Sequence, residues 1–382
     1  MGLTEIREEL DKIDRNLLLL FQKRMLLSEE VAKDKLKTGK AIFDGKREEE
    51  KLQSVADMVT DPELKAPAQA IFRGLMTLSR RKQLEYFSSG KKQDDFSFQR
   101  EEEISFSGKK LVFQGIRGAY SYLAGRLFFQ EEDMFSVDHF QDVIEEVLSG
   151  KADYGILPMD NSTYGMVQDN YDLLASQEEI TVIKEIYYPV SHCLCTTKGN
   201  RMENVRKVYS HPQALSQCRQ FFRVHPEIEA IPSLNTAIAA KSVSERKEKG
   251  AAVLCSKEAA EYYGLSILEE RISTEENTTR FFLLTKGKIY DKEAEKLSII
   301  LEIPDKVGSL YHVLENFMWN GLSLSMIQSR PMGDGAFSYR FFIDILGKLS
   351  DSAMKNALYS LKEQGISYRI LGNYTFYKLK NS

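Results

Sequence analysis

The sequence lacks most of what would announce a cofactor or a membrane protein. Its four cysteines, Cys193, Cys195, Cys218 and Cys255, do not have the paired spacing of a zinc site. They are expected as reduced, partly buried thiols, which makes the cytoplasm the expected compartment. No metal and no cofactor is expected. No apolar run is long enough to span a bilayer, and the start, Met1-Gly2-Leu3-Thr4-Glu5, lacks a basic then apolar signal segment. A formal net charge of -4 leaves no basic field for nucleic acid or an anionic membrane. Proline and glycine are missing between Glu5 and Leu36, so nothing there breaks a long helix. What remains, 42% hydrophobic and 28% charged over 382 residues, is an ordinary soluble chain too long for one core. Two or three domains follow.

The helix predicted over Glu5–Leu36, with Thr4 as its cap, carries Ile6, Leu10, Ile13, Leu17, Leu20, Leu27 and Val31 on one stripe. Such a stripe needs cover from other helices, in the chain or in a second copy. Arg24 and Lys35 project within about 20° of each other among these apolar positions, and Arg7 lies near the same face. Buried cations are costly without a counter-charge. Asp44 begins a second helix, with Arg47 and Glu48 on its own side, and Asp61-Pro62 begins a third that carries Ser79 and Gln83 four residues apart. The interior of this three-helix unit suits a compact dianion.

The segment closely resembles the all-helical chorismate mutase domain, through Ile6-Arg7-Glu8-Glu9-Leu10-Asp11-Lys12-Ile13-Asp14, Lys23-Arg24, Lys33-Asp34-Lys35, Asp44, Arg47-Glu48, Ser79 and Gln83. The resemblance implies that Arg24, Lys35 and Arg47 grip the two carboxylates of chorismate while Arg7 reaches in from a partner. It places Lys35 and Gln83 at the ether oxygen and Glu48 on the ring hydroxyl, with Asp44 and Ser79 orienting the set. Fixed positive charge beside a breaking C–O bond is what a pericyclic rearrangement needs.

Residues 89–109, rich in Ser, Gly, Lys, Glu and Gln, read as a tether. Beyond it, strands alternate with helices and each strand ends in polar residues, which predicts a mostly parallel α/β sheet arranged as two lobes with a site between them. The turn Gly115-Ile116-Arg117-Gly118-Ala119-Tyr120-Ser121 is an anion seat but lacks the third glycine of a dinucleotide site. Three further clusters, Met159–Gly165, Ser210–Gln213 and Glu275–Phe281, sit at strand ends. His211, just before Pro212, suits a helix cap better than a general acid.

This region resembles the prephenate dehydratase domain, itself similar to two-lobed periplasmic binding proteins. The motifs are Asp153–Pro158 leading to Asn161-Ser162 and Gly165, Tyr209–Leu215, and Asn277 with Thr279-Arg280-Phe281. By resemblance, Thr279 donates to the departing ring hydroxyl, and Arg280 positions a substrate carboxylate or orders the loop. Phe281 packs beneath the substrate, while Asn161, Ser210 and Gln213 give neutral hydrogen bonds. Three departures stand out: Ile116 replaces a proline, Ala119 a threonine and Asp160 a glutamate. The alternatives they open are decarboxylation of prephenate without loss of the hydroxyl, and a middle domain that only senses ligands.

The last stretch is predicted as βαββαβ, a ferredoxin-like order, with a turn Asp305-Lys306-Val307-Gly308 and a strand from Phe337. It is similar to the phenylalanine-binding ACT domain through Gly308-Ser309-Leu310 and Gln328-Ser329-Arg330-Pro331, Gln328 standing where Glu is usual. The expected domains are 1–88, 110–288 and 295–380, and the expected protein is a feedback-inhibited enzyme of phenylalanine biosynthesis, acting on chorismate and prephenate as a homodimer or larger homo-oligomer.

Overall fold

The computed structural model describes residues 2–88, 96–273, 276–303, 307–332 and 339–379. Positions 89–95 of the tether, Glu275, Asp305, Lys306, Phe337 and the domain end at 380 lie outside them. The chain divides into two units, Met1–Ser97 with Lys296–Ile370, and Phe98–Glu295 with Leu371–Ser382.

The first unit opens with three helices, α1 (Leu3–Thr38), α2 (Gly45–Met58) and α3 (Pro62–Ser88). Thr4 does not cap α1 but lies inside it. Gly2 is the cap, because the Glu5 carboxylate accepts from the Gly2 N–H at 2.9 Å and satisfies an otherwise orphaned donor. Gly39 closes the helix at φ 69, a left-handed conformation that glycine adopts without strain. Asp44 caps α2, accepting from the Arg47 N–H at 3.0 Å. Ile6, Leu10, Ile13, Leu17 and Leu20 are exposed, whereas Ser28 and Ala32, farther along α1, are buried. The rest of this unit runs strand Lys296–Ile303, helix Ser309–Trp319, strands Leu324–Pro331 and Tyr339–Leu346, helix Ser352–Glu363 and the start of strand Ser367–Lys378. Tyr339–Leu346 lies between the other two antiparallel strands, so Leu324–Pro331 is an edge. Helix Ser352–Glu363 packs on α3. The Trp319 carbonyl also accepts from Arg81 of α3.

The second unit has two large sheets, and both are mixed, not mostly parallel. In the first, Met134–Val137, Leu111–Gln114 and Tyr154–Asn161 run parallel, then Thr278–Lys286 and Ile180–Pro189 join antiparallel. In the second, Glu229–Pro232, Lys207–Ser210 and Ala251–Cys255 run parallel, then Cys193–Thr196 and Ser266–Glu269 join antiparallel. The reason is the double crossing. The chain leaves the first sheet after Pro189 and returns into it at Thr278, and an outgoing and a returning strand side by side must oppose each other. The helix that opens at Tyr120 ends at Gly125, and the one after His211 breaks at Cys218. Part of the predicted tether is packed: Gln99–Glu101 pairs with Ile289–Asp291, and Ile104 and Phe106 join the first core. All four cysteines are buried free thiols, and burial pushes Cys193 up to about 11. Among the described residues no helix is long and apolar enough to cross a membrane.

Candidate active sites

In the helical unit, α1 and α3 bring Arg24 and Ser79 together. Arg24 donates to the Leu75 carbonyl at 2.7 Å and to the Ser79 hydroxyl, which itself donates to Leu75 O at 2.9 Å. Lys35 donates to the carbonyl of Ile42, in the loop before α2. Burial lowers the pKa of both cations, and Glu48 pulls back on each, with Asp44 and Glu363 also acting on Lys35. The positive charge is therefore held where water screens it poorly, a state that a bound carboxylate relieves. Gln83 is buried and its Oε1 has no partner among the described residues. Asp44 serves as the helix cap, and Arg47 is exposed, 3.7 Å from Glu50.

Arg7 is exposed and not brought to the others; seventeen residues of α1 separate it from Arg24, about 26 Å at helical rise. Arg80, which the sequence reading missed, pairs with Glu48, donates to Thr77 at 2.9 Å and stacks 5.5 Å from the Phe43 ring. The signal was present: Met76, Ser79, Arg80, Gln83 and Leu84 are all buried and follow the i, i+3, i+4, i+7, i+8 face.

In the second unit, strand pairing sets Thr279 opposite Asn161. The Asn161 Oδ1 accepts from the Thr163 and Tyr164 amides at 3.1 and 3.2 Å, which fixes its NH₂ toward Thr279 Oγ1 at 2.9 Å. Thr279 thus accepts from Asn161 and keeps its own proton for another acceptor. Ser162 Oγ lies 3.3 Å from Asn277 Oδ1 and accepts from the Thr278 N–H at 3.0 Å, locking the two motifs together. The second sheet contributes through Tyr164, whose hydroxyl donates to the Gln213 carbonyl at 2.8 Å. Ser210 is turned inward, donating to Leu254 O at 2.7 Å, and the Gln213 side chain is exposed. His211 is the cap of helix Pro212–Gln217, its Nδ1 accepting from the Gln213 amide at 3.3 Å.

Two more of the predicted residues lie inside the protein. Arg280 is buried between carboxylates, 3.0 Å from Asp160 and paired with Glu185, and its charge is spent inside the protein. Of the two expected roles, ordering the loop fits this geometry better than holding a substrate carboxylate. Asp160, for all its shorter reach, also accepts from Tyr171 at 2.7 Å. Phe281, two residues on from Thr279 and so on the same face of the strand, is buried in the first sheet's core with Phe113 and Ile156.

One more residue here was not anticipated. His192 lies in the crossing segment with Nε2 2.9 Å from Gln217 Oε1 and Nδ1 3.4 Å from Tyr120 OH. Burial drives its pKa to about 4 and keeps the ring neutral. Gly118, at φ 87, lies so close to helix Lys257–Tyr262 that an added Cβ would stand 3.0 Å from that of Ala259. Gly308 caps helix Ser309–Trp319, with Ser309 and Leu310 in its first turn, and Gln328, Ser329, Arg330 and Pro331 end the edge strand Leu324–Pro331.

Residues 6–84 match the family described as chorismate mutase type II, and residues 111–289 match prephenate dehydratase. A bifunctional chorismate mutase/prephenate dehydratase of Stutzerimonas stutzeri is 31% identical over 69% of this chain and 73% of its own. The chain belongs to the bifunctional chorismate mutase/prephenate dehydratase family. Its Enterobacter agglomerans relative is 29% identical over 97% of this chain and 95% of that one. Among solved structures, a prephenate dehydratase from Arthrobacter aurescens in complex with L-Phe is 27% identical, with a TM-score of 0.63, over 70% of this chain and 90% of that one. This bifunctional enzyme therefore rearranges chorismate to prephenate and converts prephenate to phenylpyruvate, within phenylalanine biosynthesis.

Proposed function

We propose that the two steps divide between a cationic site and a neutral one. In the helical unit, Arg24 and Lys35 take the carboxylates of chorismate, Arg47 turns in from the rim, and Lys35 with Gln83 faces the ether oxygen as it gains charge. Arg7 comes from a second copy, which the exposed apolar stripe of α1 supports. Glu48 holds the ring hydroxyl while Arg80 fixes its carboxylate, and Asp44 and Ser79 orient the set.

In the crevice between the two sheets, prephenate loses its ring carboxylate as CO₂. The released electron pair aromatises the ring and expels the hydroxyl, which leaves as water with one proton. Thr279 donates a hydrogen bond to that hydroxyl, and the Asn161 amide sharpens it as a donor. This single pair, Asn161 Nδ2 on Thr279 Oγ1, carries the dehydratase reading. Asn277 and Ser162 hold the loop, Gln213 lines the opposite side, and Ser210 supports it from within through the Leu254 carbonyl.

The C-terminal stretch is read as a ferredoxin-like ACT domain that binds phenylalanine at Gly308–Leu310 and Gln328–Pro331 and lowers activity. Its element order, its open edge strand and the L-Phe complex of the Arthrobacter relative support this. Four buried free thiols support the cytoplasm as its location.

The test is to give the purified protein prephenate and identify the product with and without phenylalanine. Phenylpyruvate that phenylalanine suppresses supports the whole reading. A non-aromatic keto acid would assign Ala119 to a decarboxylase, and untouched prephenate would leave the middle domain a sensor.

A further inference from the structure

The cation cluster of the helical unit already has an anion beside it, and that anion comes from the other end of the chain. Glu363 is the last residue of helix Ser352–Glu363, which packs on α3. Its Oε2 is buried and has no hydrogen-bond partner among the described residues. Burial raises its pKa, against the amides of Phe43 and Ile42 and the cations Lys35 and Arg80. Lys35 is held in turn by the Ile42 carbonyl, so the loop between α1 and α2 meets Lys35 on one side and Glu363 on the other. Arg81 of α3 donates to the Trp319 carbonyl, a second tie between the C-terminal stretch and the same helix.

A carboxylate buried against two cations and two amides has the surroundings that a substrate carboxylate would seek. We propose that Glu363 is an internal competitor of chorismate: it lies beside Lys35 and Arg80 and must move aside for the substrate carboxylate to bind. The position of helix Ser352–Glu363 then sets how much of the mutase is open, and only the open fraction binds substrate, which raises the apparent KM by the inverse of that fraction. This rests on the assignment of Arg24, Lys35 and their neighbours as the mutase site.

The test uses the full-length protein with Glu363→Gln, which keeps the shape and removes the charge, and Glu363→Ala, which removes both. Chorismate KM is expected to fall by about three- to tenfold in each, with kcat unchanged. Dehydratase turnover of added prephenate stays at the parent rate and reports that both variants are folded. Lys35→Ala is run beside them. If it abolishes the mutase while both Glu363 variants keep the parent KM, the competitor is disproved and the site stands. If Lys35→Ala leaves the mutase intact, the site assignment fails and the inference fails with it.

Discussion

The two candidate sites spend arginine in opposite ways. In the helical unit Arg24 and Lys35 are half-buried and only partly answered, their pKa values lowered by burial. In the two-sheet unit Arg280 is equally at home in the interior, but Asp160 and Glu185 both face it. The first arrangement leaves a charge deficit for a ligand to fill; the second leaves none. A dianion whose rearrangement needs only holding and a positive field suits the first. An elimination driven by aromatisation needs a hydrogen-bond donor at the leaving hydroxyl, and the Thr279–Asn161 pair supplies one without charge. The difference teaches that a cation in a motif is not by itself a ligand; what answers it decides.

The sharpest way to break this comparison is Arg280→Ala. It strands Glu185 and Asp160, so stability is expected to drop by about 3–5 kcal/mol, read by chemical denaturation. Should prephenate kcat/KM collapse while stability holds, Arg280 would be a ligand and the contrast would vanish. Arg24→Ala comes next. Losing a partly buried cation on a carboxylate should cut mutase kcat/KM by about 10²–10³-fold and spare dehydration of added prephenate. Thr279→Ala should do the reverse, a loss of about 10²-fold in the dehydratase, with Thr279→Ser recovering most of it. A variant of either kind that killed both activities in folded protein would merge the two sites.

Much of this was legible because local pattern and tertiary role agree. The stripe of α1 marked a helix, and its two intruding cations marked a site, since a charge on an apolar face demands an explanation. Asn161 and Thr279 are far apart in sequence, and only strand pairing could bring them opposite each other. Arg280 was read as ligand or loop-organiser because nothing local announces Glu185, which sits on the neighbouring strand. The mixed sheets were missed because a double crossing is a property of connectivity, and periodicity does not carry it. Arg80 sat in the run Arg80-Arg81-Lys82, where only the helical phase tells which cation turns inward. Glu363 gave no sign at all, because its meaning depends on where a distant helix docks.

The smallest effect sharpens the comparison from the neutral side. His192 is the uncharged counterpart of the mutase cations, held at the crossing by Gln217 and beside Tyr120, its pKa driven down to about 4 by burial. In the unfolded chain it titrates near its ordinary value of about 6.5. Above about pH 6.5 both states are neutral and the full stability is present. As pH falls through the window from 6.5 to 4, the unfolded state takes up a proton that the folded state refuses. Stability should therefore fall by up to about 1.4 kcal/mol per pH unit on account of this group. Denaturation midpoints measured across that window should fall more steeply in the parent than in His192→Gln, which keeps an amide to meet Gln217 and has nothing to titrate. Equal slopes would mean that His192 is charged in the fold, and the crossing would then hold a cation like those of the helical unit.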